Sequence, residues 1–157
     1  MALRELEYQA RVLRIVWEYL DALKDEKQGA DLAAELARRN PRARIAVPDF
    51  AEQAWEVLRA GNKLPASRMG IPYSPRRDKI GNPVPNVVLK VPTGGGKTYL
   101  AALSLERIIS GYLGKDSGFV LWVVPNEAIF SQTWEQRNAR QHPYRQVLDR
   151  LSANRVR

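Results

Sequence analysis

Leu6, Ala10, Leu13, Val16, Trp17, Leu20 and Leu23 recur at intervals of mostly three and four, which places them on one face of a helix. The spacing predicts a helix over 3–24, whose apolar stripe must be covered by something. Gly29 interrupts the pattern. A short second helix is expected over 31–39, carrying Leu32, Leu36 and several alanines, and ended by Pro41, which cannot continue it. The third helix is the best marked. Asp49 stands where an N-cap is needed, Glu52 in the capping-box position, Phe50, Ala54, Val57 and Leu58 on the apolar face, and Gly61 as the stop. The segment 1–61 therefore reads as all-helical.

Between 62 and 85 the periodicity lapses, with Pro65, Pro72, Pro75, Pro83 and Pro85 scattered among Gly70 and Gly81. This is the composition of a linker or an ordered loop, and its length suggests a functional or mobile connection. An alternation of strand and helix then follows. Residues 86–91 and 119–124 are nearly continuous apolar runs, as in strands buried on both faces of a parallel sheet. Helices are expected over 99–113, with Gly114 as cap, over 127–140 after the turn Pro125-Asn126, and over 143–152. The implied arrangement over 86–157 is β-α-β-α with a right-handed crossover, an α/β domain. Two parallel strands cannot bury themselves, so the sheet is incomplete as given. The expectation is that this is the N-terminal part of a longer protein, with a third strand beginning near 154–157.

The candidate chemistry lies between the first strand and its helix, in Val91-Pro92-Thr93-Gly94-Gly95-Gly96-Lys97-Thr98. A glycine-rich turn ending in Gly-Lys-Thr, after a strand and before a helix, is the context of a P-loop. Glycines let successive backbone N–H groups converge on phosphate oxygens, and the helix presents its positive N-terminal end to the same anion. Thr93, Gly94, Gly95, Gly96, Lys97 and Thr98 are thus the expected ATP contacts. Lys97 would reach the β and γ phosphates, and the Thr98 hydroxyl would ligate Mg²⁺. The strict pattern G-x-x-x-x-G-K-[ST] asks for glycine where this chain has Val91, at the strand exit. The competing reading is a glycine-rich surface loop with an incidental lysine.

Charge adds a partner class. The chain of 157 residues has 25 Lys plus Arg against 17 Asp plus Glu, a net charge of +8, with arginine concentrated in Arg38-Arg39-Asn40-Pro41-Arg42-Ala43-Arg44 and in Arg76-Arg77. A polyanion suits this balance, although charge alone describes a solvated face equally well. With no cysteine there is no disulfide framework and no thiolate zinc site. The single His142 reads as a turn residue. No apolar run approaches the length of a membrane span and no secretory h-region opens the chain, so cytoplasmic residence without membrane attachment is expected.

A second constellation refines the first. The second strand runs into Val123-Val124-Pro125-Asn126-Glu127-Ala128-Ile129-Phe130-Ser131-Gln132, with Gln132 seven residues after Pro125. This resembles motif Ia of superfamily 2 helicases and translocases, of the form P-T-x-x-L-x-x-Q, and its order and distance from motif I agree. The resemblance is to the DEAD/DEAH-type motor of type III restriction enzyme Res subunits and UvrB-like helicases, and it covers about 86–140. It implies a partial RecA-like domain, an ATP-hydrolysing DNA helicase or translocase as parent, and Pro125, Asn126 and Gln132 as contacts to nucleic-acid phosphates. The remainder of the motor and other subunits of a restriction or anti-phage complex would be the protein partners. The competing reading is that Pro125-Asn126 merely caps the helix. Trp134 fits a core position better than a base-stacking one. Tyr8-Gln9 is similar to the upstream glutamine with which related motors read adenine, so Gln9 joins the cofactor candidates, though its distance from Lys97 requires an insertion.

The sequence contains no Asp-Glu-x-His or Asp-Glu-x-Asp, so the carboxylates that complete the Mg²⁺ site, and the arginine finger of a second motor domain, are lacking. Nucleotide binding with poor hydrolysis is the expectation for this chain alone. Two other readings stay open: a different P-loop NTPase or kinase, and a basic nucleic-acid-binding module without catalysis.

Overall fold

The computed structural model describes residues 6–139, 141 and 143–152. His142 and the expected strand onset at 154–157 lie outside them. The chain divides into two compact units, Met1–Val16 with Lys90–Arg157, and Trp17–Leu89.

The first helix, α1 (Glu7–Arg39), is one element of 33 residues where the sequence suggested two. Gly29 does not break it, because an interior glycine costs only about 1 kcal/mol against alanine. Good helix formers surround it, and the Lys27 ammonium lies 2.7 Å from the Asp31 carboxylate, spanning the glycine by an i,i+4 pair. Leu13, Val16, Leu20, Leu23 and Ala30 are buried along the helix, while Leu6, Ala10 and Trp17 of the expected stripe are exposed. Pro41 ends the run in a single 3₁₀ turn, Pro41–Ala43, followed by Arg44 in the left-handed region.

Within the unit 17–89, α2 (Phe50–Ala60) buries Ala51, Ala54 and Leu58. Asp49 caps it as expected, its carboxylate accepting from the N–H groups of Ala51 and Glu52 at 3.1 and 3.2 Å. The other carboxylate oxygen takes the Arg77 guanidinium at 2.7 Å, so one side chain ties the helix start to the proline-rich segment. That segment is ordered locally. It contains one helical turn, α3 (Ala66–Met69), and a tight turn closed by Asp78, which accepts from the N–H groups of Ile80 and Asn82 and from the Asn82 side chain.

In the other unit, α4 (Lys97–Glu106) continues through a widened turn, Arg107–Tyr112, to Gly114, whose φ of +60° makes it the expected stop. The helices α5 (Glu127–Asn138) and α6 (Pro143–Ser152) follow, and α6 packs on both α4 and α5. Leu100, Ala102, Ile109 and Val147 are buried here.

The expected sheet is absent. Among the described residues there is no strand, and the isolated backbone bridge joins Arg77 to Pro83 in the other unit. Residues 86–91 and 119–124 form no ladder with each other or with anything else, and Val88, Phe119, Leu121 and Val123 are 87, 93, 76 and 79% exposed. The cause is the one that makes two parallel strands insufficient: a strand holds its shape through neighbours on its edges and layers on its faces, and these runs have neither. The α/β, RecA-like assignment is therefore replaced by helices joined by connections without regular secondary structure among the described residues. No helix among the described residues is long and apolar enough to cross a membrane.

Candidate phosphate-binding site

The glycine loop enters α4 directly. Gly94 and Gly96 take φ of +77 and +72°, values that a Cβ makes costly, and Gly96 is the N-cap of α4 with no side chain capping the helix. The contrast with α2 and α5 is chemical. Asp49 and Asn126 supply oxygen acceptors to the first turns of those helices, whereas α4 begins with Lys97 and Thr98 and the positive end of its dipole has no side-chain cap.

Gly95 is required for a different reason. Its backbone is ordinary, but a Cβ there would lie 2.7 Å from Val91 Cγ1, 2.9 Å from Pro92 O and 3.0 Å from Tyr8 Oη. Val91, the departure from the strict motif, thus folds its side chain over the loop and fills the space beside Gly95. Inside the loop, Gly95 N–H donates to Pro92 O at 3.1 Å, and the Lys97 ammonium donates to the same carbonyl at 3.0 Å. Lys97 is exposed and rests on the loop it follows; Thr98 is half-buried in the first turn of α4.

Gln9, some 86 residues earlier in the chain, meets this loop. Its carboxamide N–H donates to Gly95 O at 3.2 Å and to Tyr8 Oη at 3.3 Å, and its Oε1 accepts from Leu6 N–H at 3.1 Å. Gln9 is buried, and Tyr8 Oη also donates to Gly95 O. The structure therefore brings Gln9 together with 93–98. The contribution of Tyr8 and the cover supplied by Val91 were missed in the sequence, since neither residue type carries phosphate chemistry of its own. The only available signal was the adjacency of Tyr8 to the singled-out glutamine.

The motif Ia candidates stand apart in role. Asn126 caps α5, its side-chain oxygen accepting from Ile129 N–H at 3.0 Å, and both Pro125 and Asn126 are exposed. Gln132 lies in α5, but its side chain is outside the described residues. Trp134, expected in the core, is exposed and stacks on Phe130 with centroids 6.0 Å apart. No group of three or more His, Cys, Asp or Glu that could hold a metal occurs among the described residues. Two groups of the unit 17–89 have displaced pKa values. Tyr73 is raised by burial, then by Asp49 and Glu52, and Asp78 is lowered by its hydrogen bonds from Asn82.

Comparison with known proteins returned no matching family model, no matching curated protein and no matching solved structure.

Proposed function

We propose that residues 93–98 bind the triphosphate of ATP with Mg²⁺, and that this chain is the nucleotide-binding part of an ATP-dependent DNA helicase or translocase. The observation that carries the first half is the loop itself: two left-handed glycines and a sterically obligate third deliver the chain into an uncapped helix beginning Lys97-Thr98. That local geometry suits an anion without requiring a sheet beneath it. Lys97 would exchange its hydrogen bond to Pro92 O for the phosphates, and Thr98 would hold Mg²⁺, which when bound neutralises charge on the β and γ oxygens. The second half rests on the resemblance of Pro125 to Gln132 to motif Ia and on the net charge of +8. An exposed helix start beside short polar groups is suited to backbone phosphates.

Without a water-polarising carboxylate of the Asp-Glu-x-His kind in its sequence, the chain alone should bind ATP and turn it over slowly. Titration calorimetry with Mg·ATP tests the binding. Lys97→Ala should lower affinity at least about tenfold, the scale of a charge-assisted phosphate contact, with an unchanged circular dichroism spectrum. Equal affinity in wild type and variant would sink the site. DNA should raise ATP turnover; turnover indifferent to DNA would favour a kinase or another P-loop NTPase.

A further inference from the structure

Tyr8 and Gln9 converge on one atom, the carbonyl oxygen of Gly95, from an element 86 and 87 residues away in sequence. What that contact does follows from peptide geometry. The described chain contains no cis peptide, so in the Gly95–Gly96 unit the C=O and the N–H point in opposite directions. Holding Gly95 O against α1 turns the Gly96 N–H away from α1. A peptide between two glycines is otherwise the easiest in a protein to flip, since neither flanking residue has a Cβ to select a backbone basin.

We propose that Tyr8 and Gln9 are positioning residues for this loop, fixing the Gly95–Gly96 peptide so that the Gly96 N–H faces the bound phosphate. This rests on the phosphate-site reading above and deepens it. The Gln9 carboxamide nitrogen is turned to the loop, with Gly95 O and Tyr8 Oη both within hydrogen-bond distance on the same side, and its oxygen accepts from Leu6. A glutamine reading adenine must give a proton to the base while accepting one from it. Here the donor faces the loop. A Cβ on Gly96 would sit 2.7 Å from Gln9 Nε2, so a side chain there would push the carboxamide off Gly95 O.

The test compares Mg·ATP with inorganic tripolyphosphate, which has the phosphates and no base, on wild type, Tyr8→Phe, Gln9→Met and the double variant. Both substitutions keep the shape of the side chain and remove the donor. Each should weaken both ligands by the same factor, about three- to tenfold, as expected for loss of one hydrogen bond from a preorganised site. A loss confined to ATP would assign Gln9 to the base and overturn the proposal, as would unchanged affinity for both ligands. Nitrogen-15 NMR of the chain without ligand separates this from the site assignment. The Gly96 amide resonance should move in the double variant while amides in α2 stay in place. An unmoved Gly96 resonance overturns the brace whatever the binding data show. A wild-type chain that binds neither ligand, with Gly96 still moving, overturns the phosphate site and leaves the brace.

Discussion

Three consecutive glycines differ in what they cost to replace, and the differences are physical. Gly94 has positive φ in open space, so alanine there meets only the left-handed penalty of about 1–2 kcal/mol. Gly96 has positive φ and the Gln9 amide at 2.7 Å, while Gly95 has ordinary φ but faces Pro92 O, which is backbone and cannot swing aside. Thermal denaturation should therefore rank Gly94→Ala as the mildest of the three; equal losses would contradict the packing described. Asp78 gives a residue-scale prediction in pH. Its carboxyl is held below the ordinary Asp range first by the Asn82 side chain, then by backbone N–H groups, so the folded form favours ionisation. The turn's added stability is present above the ordinary Asp pKa of about 3.9 and is lost as pH falls through the lowered value. An NMR titration of the Ile80 and Asn82 amides should show a midpoint below that reference, and a midpoint at or above it would refute the assignment.

Helix caps decide which elements could be read from the sequence. Where a cap and a stop are both local, at Asp49 with Gly61, the expected helix appears where the pattern placed it. The loop and its entry into α4 were legible for the same reason, since Gly-Gly-Gly-Lys-Thr is a local signal. Gly29 misled because an interior glycine costs only about 1 kcal/mol, which a helix buried at Leu13, Val16, Leu20, Leu23 and Ala30 outweighs. The contact of Gln9 with Gly95 was illegible in detail because it joins residues 86 apart, and no periodicity encodes that distance. At α5 the cap bears on function. Asp caps a helix as well as Asn and suits its positive end, so Asn126→Asp should leave thermal stability within about 0.5 kcal/mol, whereas Asn126→Ala should cost about 1 kcal/mol. Aspartate would also place a negative charge where DNA phosphate is proposed to sit. Fluorescence anisotropy should then show severalfold weaker DNA binding by Asn126→Asp; unchanged binding would reduce Asn126 to a cap.

For the molecule as a whole, the decisive feature is that the two most strand-like runs of the sequence are not strands. Apolar, β-branched composition made 86–91 and 119–124 read as buried parallel strands, yet that composition describes an environment and cannot supply one. Among the described residues no backbone hydrogen bond is formed by residues 87–91 or 119–124. Their amides lack the ladder partners that slow exchange, whereas those of α1 and α4 sit in helices with buried faces at Leu13, Val16, Leu100 and Ala102. Hydrogen–deuterium exchange followed by mass spectrometry should accordingly find peptides covering 87–91 and 119–124 fully exchanged at the earliest times, with the middle of α1 protected by orders of magnitude. The measurement is sharpest at Phe119 and Val88, the most exposed of these apolar residues. Slow exchange at 119–124 in the dilute chain would mean that the run pairs with something in solution. If the protection disappears on dilution, a second copy is the partner; if it persists, the run is paired within the chain and the unpaired description of 119–124 is wrong.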